Sequence, residues 1–373
     1  MIYFDNAATT YPKPGCVISA VNAASSGAYG NPGRGGHRAA MAAAELVYEA
    51  RVRLALLFGT LPERVCFTGG CTAALNQAIL GLLRRGERVM TSDIEHNSVM
   101  RPLYASGAEI TTFPAFSRTE EILGRINDGI NNGVSCVVCT CASNVFPLLL
   151  PYGQIGALCR DRGVFFIADG AQAAGVYDIN VGRDNIDVLC VPSHKGLYGV
   201  TGCGALILSA DFDAERLRPV LSGGSGVNSA ESFMPKEPPE RFEAGTLPVV
   251  PVAALAAGAG FVLDTGVGTI RACEERICRA VLDGLSGADA VRFYRAAPGT
   301  LLCFNIEGKS CEETADLLDG YGICVRAGLH CAPSAHKYTA PDGTGAVRVS
   351  FSYFNTENQA KAFCEAVRRL SRL

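Results

Sequence analysis

Residues 164–195 read VFFIADGAQAAGVYDINVGRDNIDVLCVPSHK and contain the two features that decide the fold. One apolar run ends at Asp169, and a second apolar run ends just before Lys195. Apolar runs of this length, bounded by glycine and polar residues, are typical of strands buried in a parallel sheet. Strand ends separated by about 25 residues fit two neighbouring strand–helix units. The stretch therefore predicts two adjacent strands that present a carboxylate and an amine at one edge of a sheet.

The same alternation of strand and helix extends outward, from about residue 64 to 210. The predicted strands are RVCFTGG (64–70), RVMTSD (88–93), EITTFPA (109–115), SCVVCTCASN (135–144), VFFIADG (164–170), IDVLCVP (186–192) and GALILS (204–209). Between them, residues 72–86 and 150–163 have the apolar spacing of amphipathic helices, and each segment closes on a glycine that predicts the helix end. We therefore expect an α/β fold with a mostly parallel, seven-stranded sheet covered by helices. Ligands of such sheets bind beyond the carboxyl ends of the strands.

The rest of the chain predicts a second, smaller α/β domain. Residues 218–246 are rich in glycine, serine, proline and charge, which predicts a long functional loop. Two helices near 252–264 and 268–286 follow, then a final helix at the C-terminus. The strand candidates between them are TLLCFNIE (300–307), ICVRAG (323–328) and AVRVSFS (346–352). We expect a large domain over 15–250 and a smaller domain formed by 1–14 and 251–373, since 373 residues suffice for two cores.

Composition narrows the possible partners. The formal net charge of −3 offers no basic field for nucleic acid or an anionic membrane, which favours a small-molecule partner. The N-terminus lacks the basic and apolar regions of a signal peptide. The longest uncharged apolar stretch, 247–263, contains prolines and glycines, which indicates a loop leading into a buried helix and not a membrane span. We therefore expect a cytoplasmic protein.

The chain has sixteen cysteines, most of them inside apolar runs, where a thiol behaves as a small hydrophobic group. A disulfide scaffold is not expected in a chain of this size without a secretion signal. Cys136, Cys139 and Cys141 resemble a metal knuckle in their spacing. On a strand, however, Cys139 and Cys141 share one face and Cys136 points to the other, so we expect a buried strand and no metal site.

Asp169 and Lys195 carry chemical information only as a pair. Alone, a strand-end aspartate is most often a turn residue, and a lysine after a buried strand is most often solvated. Together they suit pyridoxal 5′-phosphate (PLP), which needs a lysine for a Schiff base and a carboxylate that keeps the pyridine nitrogen protonated. Residues 68–72, TGGCT, lie between a strand and a helix and suit a phosphate at a helix N-terminus.

Seven motifs, two of which contain Asp169 and Lys195, make this interpretation specific. In chain order they are FDNAATT (4–10), GNPGRGGH (30–37), IEHNS (94–98), ADGAQ (168–172), SHKGLYG (193–199), FEAGT (242–246) and RAGLHCAP (326–333). This set resembles the class V aminotransferase-like PLP family, in particular its cysteine desulfurases and selenocysteine lyases. The resemblance covers essentially the whole chain and implies PLP as cofactor and an aspartate aminotransferase-like fold.

The resemblance also implies roles for individual residues. Lys195 would form the Schiff base and move a proton at the substrate Cα, Asp169 would pair with the pyridinium nitrogen, and Gln172 would reach the phenolic oxygen. The other implied cofactor contacts are His96 stacked on the ring with Asn144 nearby, Cys71, Thr72, Ser193 and His194 around the phosphate, and Thr246 from a neighbouring subunit. The implied substrate contacts are Arg326 and Arg348, which would clamp the carboxylate, with Asn31 and Ala7. His96 and Cys331 would be catalytic beside Lys195.

Cys331 decides which reaction is expected. It lies in a polar, histidine-flanked segment between strand candidates, where a thiolate is favoured and solvent can reach it. At this position desulfurases carry the cysteine that attacks the substrate sulfur, which leaves a persulfide and releases alanine. The short RxGxHC arrangement resembles the group II enzymes, whose cysteine loop is compact. The leading hypothesis is therefore a cysteine desulfurase, with a purely structural role for Cys331 as the alternative.

Other hypotheses stay open at this point. Selenocysteine lyase uses the same scaffold, another class V transaminase or lyase reaction would not need Cys331, and a non-catalytic PLP-binding protein is a remote alternative. Relatives carry a hydroxyl residue one position earlier than Ser193, so either Ser193 substitutes for it or phosphate affinity is lowered. Val200 and Ala73 also depart from the family pattern, where proline and glutamate are common.

The resemblance implies partners as well. We expect a homodimer, because FEAGT acts across the subunit interface in the family, and a sulfur-acceptor protein. The pathway served is left open between iron–sulfur cluster assembly, nucleoside thiolation, cofactor sulfuration and selenium metabolism.

Overall fold

The structure is a computed structural model that describes residues 1–33, 35–339 and 343–372. The strands are β1 Ile2–Tyr3, β2 Val65–Thr68, β3 Arg88–Ser92, β4 Glu109–Phe113, β5 Val134–Thr140, β6 Phe165–Asp169, β7 Val188–Pro192, β8 Gly204–Leu208, β9 Val291–Tyr294, β10 Leu301–Ile306, β11 Ile323–Cys324 and β12 Val347–Ser350. The helices are α1 Gly15–Ser26, α2 Arg38–Phe58, α3 Cys71–Leu82, α4 Asn97–Ser106, α5 Thr119–Asn131, α6 Tyr152–Asp161, α7 Val249–Thr265, α8 Val267–Gly284, α9 Cys311–Gly320 and α10 Glu357–Leu370.

Strands β2 to β8 form a seven-stranded sheet in the order β2-β8-β7-β6-β5-β3-β4. Strand β8 runs antiparallel to both of its neighbours, and every other pairing is parallel. The predicted fold class and all seven predicted strands are therefore confirmed. In the register of the central strands, Asp169 pairs with Thr140 of β5 and with Cys190 of β7. This register brings the polar ends of three strands to one edge of the sheet.

Strand β5 shows how the sheet separates two apolar layers. Cys139 and Cys141 belong to the larger core cluster on one face, whereas Cys136 belongs to a second cluster on the opposite face. All three thiols are fully buried. Among the described residues no group of histidine, cysteine or acidic side chains is arranged to hold a metal ion. The expectation that Cys136, Cys139 and Cys141 lie on a buried strand is confirmed.

The chain after residue 285 forms two smaller sheets together with the N-terminal strand β1, and a separate core that also includes residues of α8 packs against them. Strands β12, β10 and β9 form an antiparallel sheet, and β1 pairs in parallel with β11. Phe4, next to β1, packs in the same apolar cluster as Phe304 of β10 and Phe363 of α10. The extreme N-terminus thus adds to the C-terminal core. The exact limits of the two domains stay a prediction.

One predicted helix end is confirmed, whereas another helix end and two short strands differ from the sequence prediction. Helix α6 ends near Gly163, as expected. Gly163 has a left-handed backbone conformation at φ +66°, and Val164 N donates a hydrogen bond to Cys159 O at 2.9 Å. Helix α3, however, ends at Leu82, so the helix end predicted at Gly86 is wrong. Gly86 instead lies in a turn closed by Glu87 N donating to Arg84 O, at φ +80°. Strands β1 and β9 were not predicted, because both are short and lack a clear alternation.

The apolar stretch that begins near residue 247 forms helix α7, which packs against α1 and α2 with half of its residues buried. In the described parts of the chain, no single helix is both long and apolar enough to cross a membrane. Helices α7 and α8 reach that length and composition only jointly, and they meet at an 83° bend. Residues 218–246 contain no regular helix or strand, as expected for a long loop.

The end of that loop is tied to the sheet by a buried ion pair. Arg51 of α2 donates through two nitrogens to the carboxylate of Glu243 at 2.8 and 2.7 Å. Arg51 also donates to the carbonyl of Val65, and Glu243 accepts from Phe67 N at 2.6 Å. The pair therefore fixes helix α2, the start of β2 and the loop that leads to Thr246 in one arrangement.

We expect Glu243→Gln to lower the free energy of unfolding by about 3–5 kcal/mol, because it leaves the Arg51 guanidinium buried without its counter-charge. Urea denaturation of the purified protein measures this loss. Glu49→Gln is the matched control, since Glu49 pairs with Arg53 on the solvent side of the same helix. The control should change the stability by less than about 1 kcal/mol. Equal effects of the two substitutions would contradict the prediction.

Candidate active site

A cavity of about 320 Å³ opens beyond the carboxyl ends of β5, β6 and β7. It is lined by Gly69, Gly70, Cys71, Thr72, Ala73, His96, Ser98, Thr140, Asn144, Asp169, Ala171, Gln172, Pro192, His194, Lys195, Thr201, Gly202 and Cys203. The structure therefore brings eight of the residues named from the sequence into one place: Cys71, Thr72, His96, Asn144, Asp169, Gln172, His194 and Lys195.

Asp169 and Lys195 form the charged centre of this cavity. The Asp169 side chain, only 2% of which is exposed, accepts from Ala171 N at 2.8 Å and from the Cys71 thiol at 3.5 Å. Burial lowers the pKa of Lys195, while the nearby Asp169 carboxylate raises it. A lysine with a lowered pKa has a larger fraction of neutral amine, which is the nucleophilic form that attacks a carbonyl carbon.

His96 caps helix α4 and lines the cavity. Its Nδ1 accepts from Ser98 N at 3.0 Å, so in the neutral ring the proton is on Nε2. Burial lowers the pKa of His96, which favours this neutral form. The carboxyl group of the preceding residue, Glu95, is buried. It accepts hydrogen bonds from Ser92 Oγ and, at 3.1 Å, from Thr140 N. Glu95 therefore connects the ends of β3 and β5 and fixes the position of His96.

The N-terminus of α3 forms one wall of the cavity. Gly70 precedes the helix at φ +141°, a conformation that favours glycine, and no side chain caps the helix. The N–H groups of the first turn and the Thr72 hydroxyl, which lies 3.2 Å from Ser98 Oγ, are therefore available to a ligand in the cavity. His194 is on the same wall, and its buried Nδ1 has no hydrogen-bond partner among the described residues. This donor set fits a phosphate group.

Ser193 is not part of that wall. Its side chain is fully buried beside Gly199, and its hydroxyl has no partner among the described residues. It does not line the cavity. The structure thus gives no support to Ser193 as a phosphate contact, because the chain directs its hydroxyl into the protein interior. Gln172 does line the cavity, and its Nε2 donates to Ala7 O at 3.0 Å.

The two arginines lie side by side across a backbone bridge, with Arg348 N donating to Arg326 O at 2.7 Å. Arg348 is 3% exposed and donates to Asp5 Oδ1 at 2.9 Å and to Asn144 O at 3.0 Å. Its Nε is buried and has no partner among the described residues. Arg326 is exposed. Arg348 is therefore held next to the cavity residue Asn144 while its Nε–H remains without a partner among the described residues.

Cys331 is exposed on a loop that docks onto the cavity residues. Its carbonyl accepts from Asn97 N at 2.7 Å, and the carbonyl of His330 accepts from Asn144 Nδ2 at 2.7 Å. Both His330 and Cys331 have left-handed backbone conformations, at φ +52° and +55°. Each such residue costs roughly 1–2 kcal/mol when it carries a side chain. The docking contacts must offset this strain, and the thiol is thereby held in a defined position.

Asn31 and Thr246 are not in the Lys195 cavity. The Asn31 amide donates to Thr246 Oγ1 at 3.3 Å, and Asn31 lines a separate surface cavity beside the Arg51–Glu243 pair. Within one chain, therefore, neither residue reaches the predicted phosphate wall.

The sequence model of a family described as "Aminotransferase class-V" matches residues 2–363. The chain belongs to this family. A protein of Methanothermobacter thermautotrophicus named "Probable cysteine desulfurase" is 30% identical, and the alignment covers 99% of this chain and 94% of the relative. A protein of the same name from Xylella fastidiosa Temecula1 is also 30% identical, with 100% and 91% covered.

Solved structures of the class V family give the same result. The apo cysteine desulfurase from Thermococcus onnurineus NA1 is 29% identical, has a TM-score of 0.89, and is matched over 100% of this chain and 94% of its own. A cysteine desulfurase from Escherichia coli, in an S-sulfonic acid form, is 26% identical with a TM-score of 0.88, covering 100% and 95%. The resemblance stated from the sequence motifs is thus confirmed.

Some residues of this class V site were missed in the sequence. The carbonyl of His194 accepts from Thr10 N at 3.0 Å, Thr9 Oγ1 at 3.1 Å and Lys13 Nζ at 3.0 Å, which fixes the backbone next to Lys195. Burial lowers the pKa of Lys13 to about 8. The FDNAATT motif pointed to the threonines without giving them a role. Nothing in the sequence marked Lys13, because its partner is 181 residues away.

Glu95 generates a pH-dependent prediction. Burial raises its pKa from 4.5 to about 8, so the folded protein holds a proton that the unfolded chain releases near pH 4.5. The Glu95 contribution to stability is therefore complete below pH 4.5 and falls as pH rises to about 8, by up to about 1.4 kcal/mol per pH unit. Glu95→Gln stays neutral and should remove this dependence. Urea denaturation at pH 5, 6.5 and 8 measures it.

The matched control is Glu109→Gln, an exposed carboxylate on the edge strand β4. We expect the stability difference between wild type and Glu95→Gln to change with pH, and that between wild type and Glu109→Gln to stay constant. A constant difference for Glu95→Gln would mean that Glu95 is ionised in the folded protein.

Proposed function

We propose that this chain is a cysteine desulfurase that converts L-cysteine to L-alanine and leaves the substrate sulfur on Cys331 as a persulfide. The observation that carries the proposal is the docking of an exposed cysteine onto the cavity of Asp169 and Lys195. Asn144 lines that cavity and holds the backbone of His330, the residue before Cys331, at 2.7 Å. Relatives named as cysteine desulfurases, aligned over nearly their whole length, support the same activity.

The residues of the cavity fit PLP. When bound, this cofactor supplies a carbonyl that captures amines and a ring that withdraws electrons from the substrate Cα. Lys195 would hold it covalently, Asp169 would pair with the ring nitrogen, and His96 would lie against the ring. The α3 N-terminus, Thr72 and His194 would hold the phosphate, consistent with the uncapped helix and the orphaned Nδ1 described above.

The substrate carboxylate would bind to the arginines. Arg348 keeps a buried Nε donor unused, and its two other nitrogens are engaged by Asp5 and Asn144. Arg326 is adjacent and exposed, so it can move toward a carboxylate. With the carboxylate held there, the amine is directed to the Lys195 side of the cavity. Asn31 and Ala7 stay predictions as substrate contacts.

The sulfur-transfer step is assigned to Cys331. Its thiolate forms a sulfur–sulfur bond to the substrate sulfur while the carbon–sulfur bond of the substrate breaks. The electron pair of that bond remains with the carbon skeleton, which takes up a proton and leaves as alanine. Lys195 moves the proton at Cα. Two equivalents of an external thiol then reduce the persulfide, which releases sulfide, restores the Cys331 thiol and leaves the external thiols joined as a disulfide.

The deciding experiment measures alanine and sulfide from L-cysteine in the presence of a thiol reductant. We expect wild type to form both products in equal amounts. Cys331→Ala and Lys195→Ala should each stop both products, because the carbon–sulfur bond breaks only when the Cys331 sulfur attacks and Lys195 moves the proton at Cα. Cys16→Ala is the matched control, because Cys16 is the other exposed cysteine among the sixteen, all of which are described.

Three outcomes would count against this proposal. If wild type binds PLP and leaves L-cysteine unchanged, the substrate is wrong and L-selenocysteine is the next to test. If Cys331→Ala retains full activity, another class V reaction is favoured. If wild type fails to bind PLP, the cofactor assignment fails with it.

The proposal includes a homodimer in which Thr246 reaches the phosphate wall of the partner. Support comes from the position of Thr246 beside Asn31, outside the cavity of its own chain. We expect inactive Thr246→Val and inactive Lys195→Ala proteins to regain activity when unfolded and refolded together. The mixed dimer then contains one intact site, with up to a quarter of wild-type activity for random pairing. A monomeric, active enzyme in sedimentation analysis would contradict the dimer.

We also propose a cytoplasmic setting and a protein acceptor for the persulfide. The sixteen cysteines are all unpaired, which suits a reducing compartment. The exposure of Cys331 leaves its sulfur accessible to a second protein.

A further inference from the structure

Behind the Cys331 loop lies a chain of buried hydrogen bonds that the proposed reaction does not use. His330 Nδ1 is 3.1 Å from His336 Nε2, and the two rings stack with their centroids 5.2 Å apart. His330 Nε2 is 3.2 Å from Arg326 O, and His336 Nδ1 is 3.2 Å from Thr339 Oγ1. The His336 side chain is nearly inaccessible, with 1% exposed.

The chemistry of the end groups fixes the direction of this chain. A backbone carbonyl only accepts, so His330 Nε2 carries the proton that it donates to Arg326 O. Burial lowers the pKa of His330 to about 3 and that of His336 to about 4, so both rings are neutral at working pH. His330 Nδ1 is therefore an acceptor, and His336 Nε2 must be its donor. The Thr339 hydroxyl donates to His336 O at 2.7 Å and lies 3.2 Å from the remaining ring acceptor, His336 Nδ1, so it holds the His336 backbone beside the ring.

This chain is connected directly to the reactive thiol. His330 precedes Cys331, and both residues are left-handed, a conformation that side chains disfavour. Asn144 donates to the carbonyl of His330 and Asn97 to the carbonyl of Cys331, but neither of these hydrogen bonds involves the His330 ring. Without His336, the ring would keep a buried acceptor with no donor. The segment could then relieve its strain only by rotating out, which would displace Cys331.

We propose that His336 is a positioning residue for Cys331, which holds the His330 ring and through it the left-handed backbone that aims the thiol at the substrate. This inference rests on the proposed function for its activity assay. It assigns His336 no contact with substrate or cofactor. The same role extends to Thr339, which supports His336 from the far end of the chain.

The test compares His336→Leu, His336→Gln and Ser334→Ala in the full-length, PLP-loaded protein. His336→Leu removes the donor to His330, whereas the amide N–H of a glutamine can replace it. Ser334 is exposed in the same loop and serves as the matched control. Thr339→Val is made in parallel, so that the test does not depend on one variant that fails to fold.

We expect His336→Leu to lose roughly tenfold to a hundredfold in sulfide production, the usual cost of displacing a reacting group by about 1 Å. PLP absorbance, the spectral change on adding L-cysteine and the rate of iodoacetamide labelling at Cys331 should stay at wild-type values. His336→Gln should recover most of the activity, and Thr339→Val should show a smaller loss in the same direction. Ser334→Ala should match wild type.

Amide hydrogen exchange of the segment 328–335 gives a readout that does not depend on the reaction. Exchange should be faster in His336→Leu and return to the wild-type rate in His336→Gln. If wild type is inactive on L-cysteine but this exchange pattern appears, the proposed function fails and the positioning role stands. Unchanged exchange and activity in His336→Leu, or a glutamine variant no better than leucine, would overturn the inference. A loss of PLP binding in His336→Leu as large as its loss of activity would also overturn the inference.

Discussion

The parallel register of three central strands is the constraint on which the site depends. Asp169 is paired with Thr140 and Cys190, so the ends of β5, β6 and β7 are level with one another. A shift of one residue would turn the side chain of Asp169 to the other face of the sheet. The buried residues of both core clusters hold this register, since any slip would expose apolar side chains on both sides. The charged pair of the site is therefore positioned by packing.

A second constraint comes from how distant parts of the chain meet at this edge. Thr10 and Lys13 hold the backbone before Lys195, and Asn97 and Asn144 hold the Cys331 loop. These contacts join segments separated by 180 residues or more, so each closes a long loop, at an entropic cost that grows only slowly with loop length. The site is therefore held together by contacts between segments that are far apart in the sequence.

The sequence predicted what depends on local pattern and on ordered motifs. Seven strands followed from apolar runs, and the cavity residues Asp169, Lys195 and His96 followed from strand ends and motifs together. The sequence did not predict two features that depend on tertiary contacts. These are the end of α3 at Leu82, before the turn at Gly86, and the short strand β9. It also missed the direction of the Ser193 hydroxyl, which backbone geometry sets. Lys13 was missed because only the folded chain brings it to the carbonyl of His194.

The burial of the cysteines has a consequence for sulfur traffic. The persulfide that we propose on Cys331 would be lost to any other thiolate that reached it, because thiolates are the attacking species in sulfur exchange. Burial raises the pKa values of Cys66, Cys136, Cys139, Cys141 and Cys190, which keeps these thiols protonated as well as inaccessible. A cysteine-rich chain can therefore carry labile sulfur without scrambling it internally. The burial of these thiols keeps them from exchanging with sulfur bound to Cys331.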